Sequence, residues 1–193
     1  MRLFLLTRHA HSQLNLEGRV NGDPSVEAAL TDEGRAQAAQ LGHRLAYVPI
    51  DLCVQTRFGR TAATADEILQ GRDVPRIVEP LLDDIDVGTL EGVSIDEYRA
   101  WKRAHRRDEP FPRGESLDDA ARRYAAAYDR LLARPEAVIL VVCHEIPVRY
   151  AVNAAGGSDD LDGPEHAIPN AAPYLFDPAS LERATMRIRE LVH

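Results

Sequence analysis

The sequence predicts a three-layer α/β/α fold with a mostly parallel central sheet, and three observations carry that expectation. Short apolar runs alternate along the chain with segments of helical pattern. The strongest run, residues 137–142 (Ala-Val-Ile-Leu-Val-Val), is apolar at every position, as a strand covered on both faces requires. A chain of 193 residues with 45% hydrophobic and 28% charged side chains is long enough for one domain with a real core.

The elements follow in order. Residues 2–8 carry the run Leu3-Phe4-Leu5-Leu6 and read as the first buried strand. Thr31-Asp32-Glu33 starts a helix, with a capping hydroxyl and acids in the first turn. Ala38, Leu41 and Leu45 continue it at helical spacing until Pro49. Residues 50–54 form a second strand, followed by an Ala/Thr-rich helix over 61–69 and a third strand at 76–78. Helices are expected at 96–105 and at 116–132, the latter opened by Ser116-Leu117-Asp118-Asp119 and ended by Pro135. After the strand at 137–142, a helix over 147–155 stops at Gly156-Gly157, and residues 172–176 and 185–191 read as late strands. Residues 1–193 thus form a single domain, whose least regular stretch, 79–113, lies where a lid or substrate segment belongs.

Charge and cysteine usage exclude several function classes. The net charge is −8, so neither nucleic acid nor an anionic membrane is an expected partner. An anionic ligand must be held by a local cluster of positive groups, and all but one of the 23 basic residues are Arg, Lys102 being the exception. Arg offers a planar fork that grips phosphate or carboxylate with paired hydrogen bonds. Cys53 and Cys143 are too few for a disulfide framework and lack metal-finger spacing. His11, His43, His105, His166 and His193 have no partners at metal-ligand spacing, so neither a metal nor a cofactor is expected. The N-terminal apolar run is far too short for a signal core or a membrane span, which points to the cytoplasm.

Open α/β sheets bind ligands beyond the carboxyl ends of their strands. Three such ends carry Thr7-Arg8-His9-Ala10-His11-Ser12, Gln55-Thr56-Arg57-Phe58-Gly59-Arg60 and Cys143-His144-Glu145. Cations and imidazoles aimed at one rim suit a phosphoryl group.

These segments resemble the histidine phosphatase superfamily, also called phosphoglycerate-mutase-like. Arg8-His9-Ala10 is similar to its R-H-G signature, and Asn15 stands seven residues past Arg8 as in R-H-G-x-x-x-x-N. The stretch Gly22-Asp23 with Leu30-Thr31-Asp32-Glu33-Gly34-Arg35-Ala36-Gln37-Ala38 is similar to D-x-x-L-T-x-x-G-x-x-Q-A. Arg60-Thr61-Ala62-Ala63-Thr64-Ala65 resembles R-A-x-x-T-A, with Thr56 where the family usually has Ser. Asp84 stands at the Glu of L-x-E-x-x-x-G-x-W-E-G, Gly114-Glu115-Ser116 matches G-E-S, and Val142-Cys143-His144 corresponds to V-S-H-G.

The resemblance implies a phosphoglycerate-mutase-like fold and a metal-independent phosphomonoester hydrolase acting on a small phosphorylated metabolite. His9 would be the nucleophile and form a phosphohistidine, its other ring nitrogen tied to a backbone carbonyl. Arg8, Arg60 and His144 would clamp the phosphoryl oxygens, Asn15 would add a neutral donor, and Asp84 would be the acid, its pKa raised by burial or phosphate charge. Ala10 replaces the motif glycine, at little cost unless its φ is positive. Asp86 is a rival acid two residues from Asp84. Glu145, where the family commonly has Gly, either caps the next helix and points away or meets a cationic part of the substrate.

Other readings stay in view. Cys143 to Arg149 spells C-x5-R, the spacing of cysteine-dependent phosphatases, but the loop has no glycine and Pro147 removes a donor. Cys143 therefore reads as a core residue, and Arg149 as a packing or salt-bridge residue. A cofactor-dependent mutase reaction is disfavoured by the short stretch between Asp84 and Gly114, which shields a phosphoenzyme poorly. A weakly catalytic phospho-ligand binder is a third reading, and a homodimer is compatible with all of them. The basic stretch Trp101-Lys102-Arg103-Ala104-His105-Arg106-Arg107 is either a solvated helix face or a second contact for an anionic substrate.

Overall fold

Strands built from Leu, Val and Ile runs lie side by side under two helical layers. The computed structural model describes residues 2–192, so Met1 and His193 lie outside it. In chain order the elements are β1 (Leu3–Arg8), α1 (Gln13–Leu16), α2 (Asp32–Arg44), β2 (Leu52–Gln55), α3 (Gly59–Ile68), β3 (Arg76–Val78), α4 (Ile95–Ala104), α5 (Leu117–Leu132), β4 (Val138–Cys143), α6 (Glu145–Ala155), β5 (Pro173–Phe176) and α7 (Pro178–Leu191). The strand order is β3-β2-β4-β1-β5, parallel except for β5, which pairs antiparallel with β1.

Side chains alternate across the sheet and build two cores. Phe4, Leu6, Val54, Ile139 and Val141 pack with Tyr124, Tyr128, Tyr150, Leu181 and Ile188 from α5, α6 and α7. Leu5, Cys53, Leu140 and Val142 pack with Ala38, Leu41, Ala65 and Ile68 from α2 and α3. Every residue of β4 is buried, as its uniform apolarity predicts.

One expected strand is a helix. Residues 185–191 continue α7, which Asp177 caps by accepting from Ser180 N at 2.7 Å, with Pro178 in the first turn. Leu181, Ala184, Thr185 and Ile188 are buried at spacings of three, one and three, which is one face of a helix. The β-branched Thr185 and Ile188 give the short stretch a strand-like look that the longer window removes. The helix expected from residue 147 starts at Glu145, because Pro147 sits in the first turn where its missing N–H costs nothing.

Register sets up the site. Arg8 is the β-partner of Cys143, and His9 N donates to Cys143 O at 2.9 Å, so His9 and His144 leave the sheet side by side. Gln55 pairs with Val142, which brings Thr56 to the same edge. The 79–113 segment packs on the α5–α7 side of the sheet, where Leu82, Ile85, Val87, Tyr98 and Phe111 join that core. Its helix α4 is opened by a Ser94–Glu97 capping box and anchored where Tyr98 and Trp101 stack on buried Phe111. Among the described residues, no helix is long and apolar enough to cross a membrane.

Candidate active site

A cleft of about 210 Å³ opens at the carboxyl ends of β1 and β4. Arg8, His9, Asn15, Arg60 and Asp84 line it, and His144 lies directly beneath, fully buried. All six residues singled out in the sequence therefore come together. Arg60, only 4% exposed, is the hub. Its Nε donates to His9 Nε2 at 3.0 Å, and its Nη2 reaches Asp84 Oδ2 at 3.1 Å and His144 Nδ1 at 3.1 Å.

The ring of His9 is oriented by its own neighbour. His9 Nδ1 donates to Ala10 O at 2.8 Å, so the tautomer leaves a lone pair on Nε2, consistent with that nitrogen accepting from Arg60. Burial, reinforced by Arg60 and Arg8, holds His9 well below the usual histidine range and keeps it neutral. Ala10 is buried without a positive φ, and its N–H donates to Thr64 Oγ1 at 3.0 Å, so alanine fits where the family signature has glycine. His144 is likewise held neutral by burial and Arg60. Because its Nδ1 accepts from Arg60, its Nε2 donates to Thr56 Oγ1 at 2.9 Å.

Asp84 and Glu145 are the carboxyl groups that line the cleft, and Asp84 is the one beside Arg60. Its side chain is 21% exposed, and burial raises its pKa against the opposing pull of Arg60. Asp86 is turned away: its Oδ1 accepts from Gly88 N at 2.9 Å, and it lines a different depression. Asn15 closes a capping box with Ser12, accepting through Oδ1 and leaving its amide nitrogen as the end able to donate to a ligand. Arg57 is bound by Asp83 at 2.5 Å and takes no part in the cluster.

Cys143 is a core residue. It is fully buried and its thiol is pushed up to about 12 by burial, the reverse of an activated nucleophile. Glu145 departs from the reading in which it points away. Its carboxylate lines the cleft and bridges Arg8 at 2.7 Å and Arg149 at 3.0 Å. The cations it meets belong to the protein itself.

Several contributors escaped the sequence reading. Asn21 Oδ1 accepts from Arg60 Nη1, Asn21 O accepts from Arg60 Nη2 at 3.1 Å, and Glu91 holds Asn21 Nδ2 at 2.9 Å. The turn at Gly22 permits this, since a Cβ there would lie 2.1 Å from Ile85 O. Arg149, Lys102 and Tyr98 form the outer wall, where Asp162 pairs with Arg149 at 2.6 Å and with Lys102 at 3.6 Å. Two buried groups on that wall, Tyr98 Oη and Arg149 Nε, have no hydrogen-bond partner among the described residues. The only sequence signals for this wall were the basic stretch around Lys102 and the position of Arg149 one turn beyond Glu145.

Such a cluster can hold an anion of phosphate shape, present it to an imidazole lone pair and supply a proton from a carboxyl group. Comparisons agree with that chemistry. The model of the histidine phosphatase superfamily (branch 1) matches residues 4–189. A probable phosphoglycerate mutase GpmB of Cronobacter sakazakii is 32% identical over 137 residues, covering 67% of this chain and 63% of that protein. A 2,3-bisphosphoglycerate-dependent phosphoglycerate mutase of a Methylobacterium species is 37% identical over 138 residues, 63% of this chain and 64% of its own. The match thus spans less than two thirds of either relative. Among solved structures, Bacillus stearothermophilus YhfR superposes with a TM-score of 0.80 at 26% identity, over 92% of this chain and 91% of that one. A putative alpha-ribazole-5'-P phosphatase from Escherichia coli shares the fold, with a TM-score of 0.79 at 24% identity over 92% and 91% of the two chains. The chain belongs to the histidine phosphatase superfamily.

Proposed function

We propose that the chain hydrolyses a small phosphate monoester through a phosphohistidine at His9. The observation that carries this reading is Arg60, whose guanidinium touches His9 Nε2, His144 Nδ1 and Asp84 Oδ2 at once. Nucleophile, acid and a phosphate-binding guanidinium therefore surround a single point, and His144, with both ring nitrogens engaged by Arg60 and Thr56, positions that guanidinium instead of clamping the phosphoryl oxygens as the resemblance implies.

Substrate phosphate takes over the Arg60 Nε–H now bonded to His9, which frees the Nε2 lone pair. That lone pair attacks phosphorus as the P–O ester bond breaks, and Asp84 gives its proton to the departing oxygen. Arg8 and Arg60 stabilise charge on the equatorial oxygens, as a loose phosphoryl-transfer transition state requires. In the second step Asp84, now a carboxylate, takes a proton from the attacking water. The N–P bond breaks and its electrons return to His9.

Hydrolysis is favoured over mutase transfer by the outer wall. It is built from α4, Arg149 of α6 and the loop residue Asp162, joined by side-chain ion pairs, and Asp84 keeps 21% of its side chain exposed to solvent. Water therefore reaches the phosphohistidine. The names of the curated relatives favour the second reading, in which the phosphoryl group is handed to another hydroxyl. On the outer wall, Tyr98 Oη and Arg149 Nε call for a substrate with an acceptor group beyond its phosphate.

Acid quench of the protein mixed with labelled phosphate ester should trap an acid-labile, base-stable phosphoenzyme, and His9→Ala should trap none. Full turnover by His9→Ala would overturn the reading. Phosphoglycerate interconversion that exceeds phosphate release and requires 2,3-bisphosphoglycerate would establish the mutase instead.

A further inference from the structure

Arg8 presents an unusual balance of contacts for a residue meant to hold phosphate. Its Nη1 donates to Ile168 O at 2.9 Å and lies 2.7 Å from Glu145 Oε2, so both hydrogens of that nitrogen are engaged. Its Nε is buried and has no partner among the described residues. The side of the guanidinium left for a ligand is therefore the Nε side, with a protein carboxylate fixed on the opposite end. Glu145 is itself held, because Arg149 Nη1 binds Oε1 at 3.0 Å while Arg149 Nη2 is bound to Asp162 at 2.6 Å. The carboxylate cannot swing far from Arg8 without abandoning two guanidinium groups. Any phosphate on Arg8 must share that cation with a fixed negative charge.

We infer that Glu145 is a specificity-determining counter-ion of the phosphate site, which weakens the hold on doubly charged phosphate groups while keeping Arg8 in position. The inference rests on the phosphoryl-transfer reading above and deepens it. Its physical basis is the difference between ground and transition states. A bound monoester or inorganic phosphate carries its full charge on the oxygens facing Arg8. In a loose transition state, part of that charge has moved to the departing oxygen. A fixed carboxylate beside Arg8 therefore repels substrate and product more than it repels the transition state. The site gives up ground-state affinity and releases inorganic phosphate sooner. Arg60 meets a carboxyl group too, Asp84 at 3.1 Å, but in the proposed mechanism that group enters the reaction protonated, and the contacts of Arg60 to Asn21 are uncharged. The counter-ion thus acts on Arg8.

Two substitutions separate charge from position. Glu145→Gln keeps an oxygen able to accept from Arg8 but removes the charge, whereas Glu145→Ala removes both. The probes are inorganic phosphate and vanadate as inhibitors of nitrophenyl phosphate hydrolysis. In Glu145→Gln, inorganic phosphate should bind about threefold to tenfold tighter, the scale of one partly screened like charge, and vanadate, whose bound geometry resembles the transition state, should tighten less. KM should fall in parallel, and kcat should not rise. Glu145→Ala should tighten phosphate less than Glu145→Gln, because Arg8 loses its anchor. A residue that merely supported the fold would raise KM and both inhibition constants, and would lower thermal stability in both variants. Unchanged or weaker phosphate binding by a folded Glu145→Gln overturns the inference. Wild-type protein that neither turns over nitrophenyl phosphate nor binds phosphate or vanadate overturns the reading beneath it, a different result from the first.

Discussion

The inner cluster and the outer wall of the cleft are built in different ways. Inside, Arg8, His9, Thr56 and His144 follow directly from strand residues whose register the sheet fixes. Outside, Lys102, Arg149 and Asp162 come from two helices and a loop, and meet only through side-chain ion pairs. His9, Thr56 and His144 are buried and Arg8 keeps 19% of its side chain exposed, and a small displacement of any of them misaligns the reacting atoms. Lys102 and Asp162 are 21% and 29% exposed, so solvent and salt weaken what they share. A rigid inner site and an adjustable outer wall suit an enzyme that keeps one reaction while its substrate varies.

The sharpest way to break this comparison is to remove the acid on the inner side. Asp84→Asn should cut hydrolysis of alkyl phosphates by about 10²–10⁴, the usual contribution of a general acid. Nitrophenyl phosphate should suffer far less, because its leaving group departs without a proton. The rates must be compared where formation of the phosphohistidine is limiting. The pH profile adds a second measurement. In the proposed mechanism, activity needs neutral His9 and protonated Asp84. Burial lowers the pKa of His9, so the acid limb should lie below its ordinary value of 6.5. Burial raises that of Asp84 above its ordinary 3.8, and activity should fall as pH rises through that shifted value. Asp84→Asn should abolish this alkaline limb for alkyl substrates. Equal losses on both substrates would show that Asp84 only supports the fold.

A smaller effect is expected one step behind the reacting groups. Asn21 positions Arg60 from the far side and is itself held by Glu91. Asn21→Ala leaves one backbone carbonyl on Arg60 and lets the guanidinium tilt. We expect kcat/KM to drop by about tenfold to a hundredfold, with weaker vanadate binding and little change in thermal stability. A loss confined to stability would place Asn21 in the scaffold.

What the sequence disclosed follows the same division. His9, Arg60 and His144 were legible because strand ends in a parallel sheet point to one rim, and apolar runs mark those strands. The layers were legible for the same reason, except where Thr185 and Ile188 disguised the last helix as a strand. The function of Asn21 was not legible, since its contact with Glu91 joins residues 70 apart through a loop with no periodicity. Glu145 had two readings, and neither anticipated that both of its partners, Arg8 and Arg149, are the protein's own cations. Side-chain ion pairs between loops leave no pattern along a single chain. Backbone register does.

The mildest perturbation tests the outer wall. Lys102 pairs with Asp162 at 3.6 Å and lies 5.7 Å from the centre of the Tyr98 ring, while Asp162 keeps Arg149 and Arg107 when Lys102 is removed. Lys102→Ala should therefore lower unfolding free energy by less than about 1 kcal/mol, as expected for a redundant, partly exposed pair. On nitrophenyl phosphate, too short to reach the wall, kcat/KM should change by less than about threefold. Esters with a second anionic group should lose more, mainly through KM, because a contact to the distal part of a substrate contributes uniform binding. High salt should shrink that difference between substrates. A deep loss of kcat on both would mean that the wall and the cluster act as one rigid unit, and that the division drawn between them is wrong.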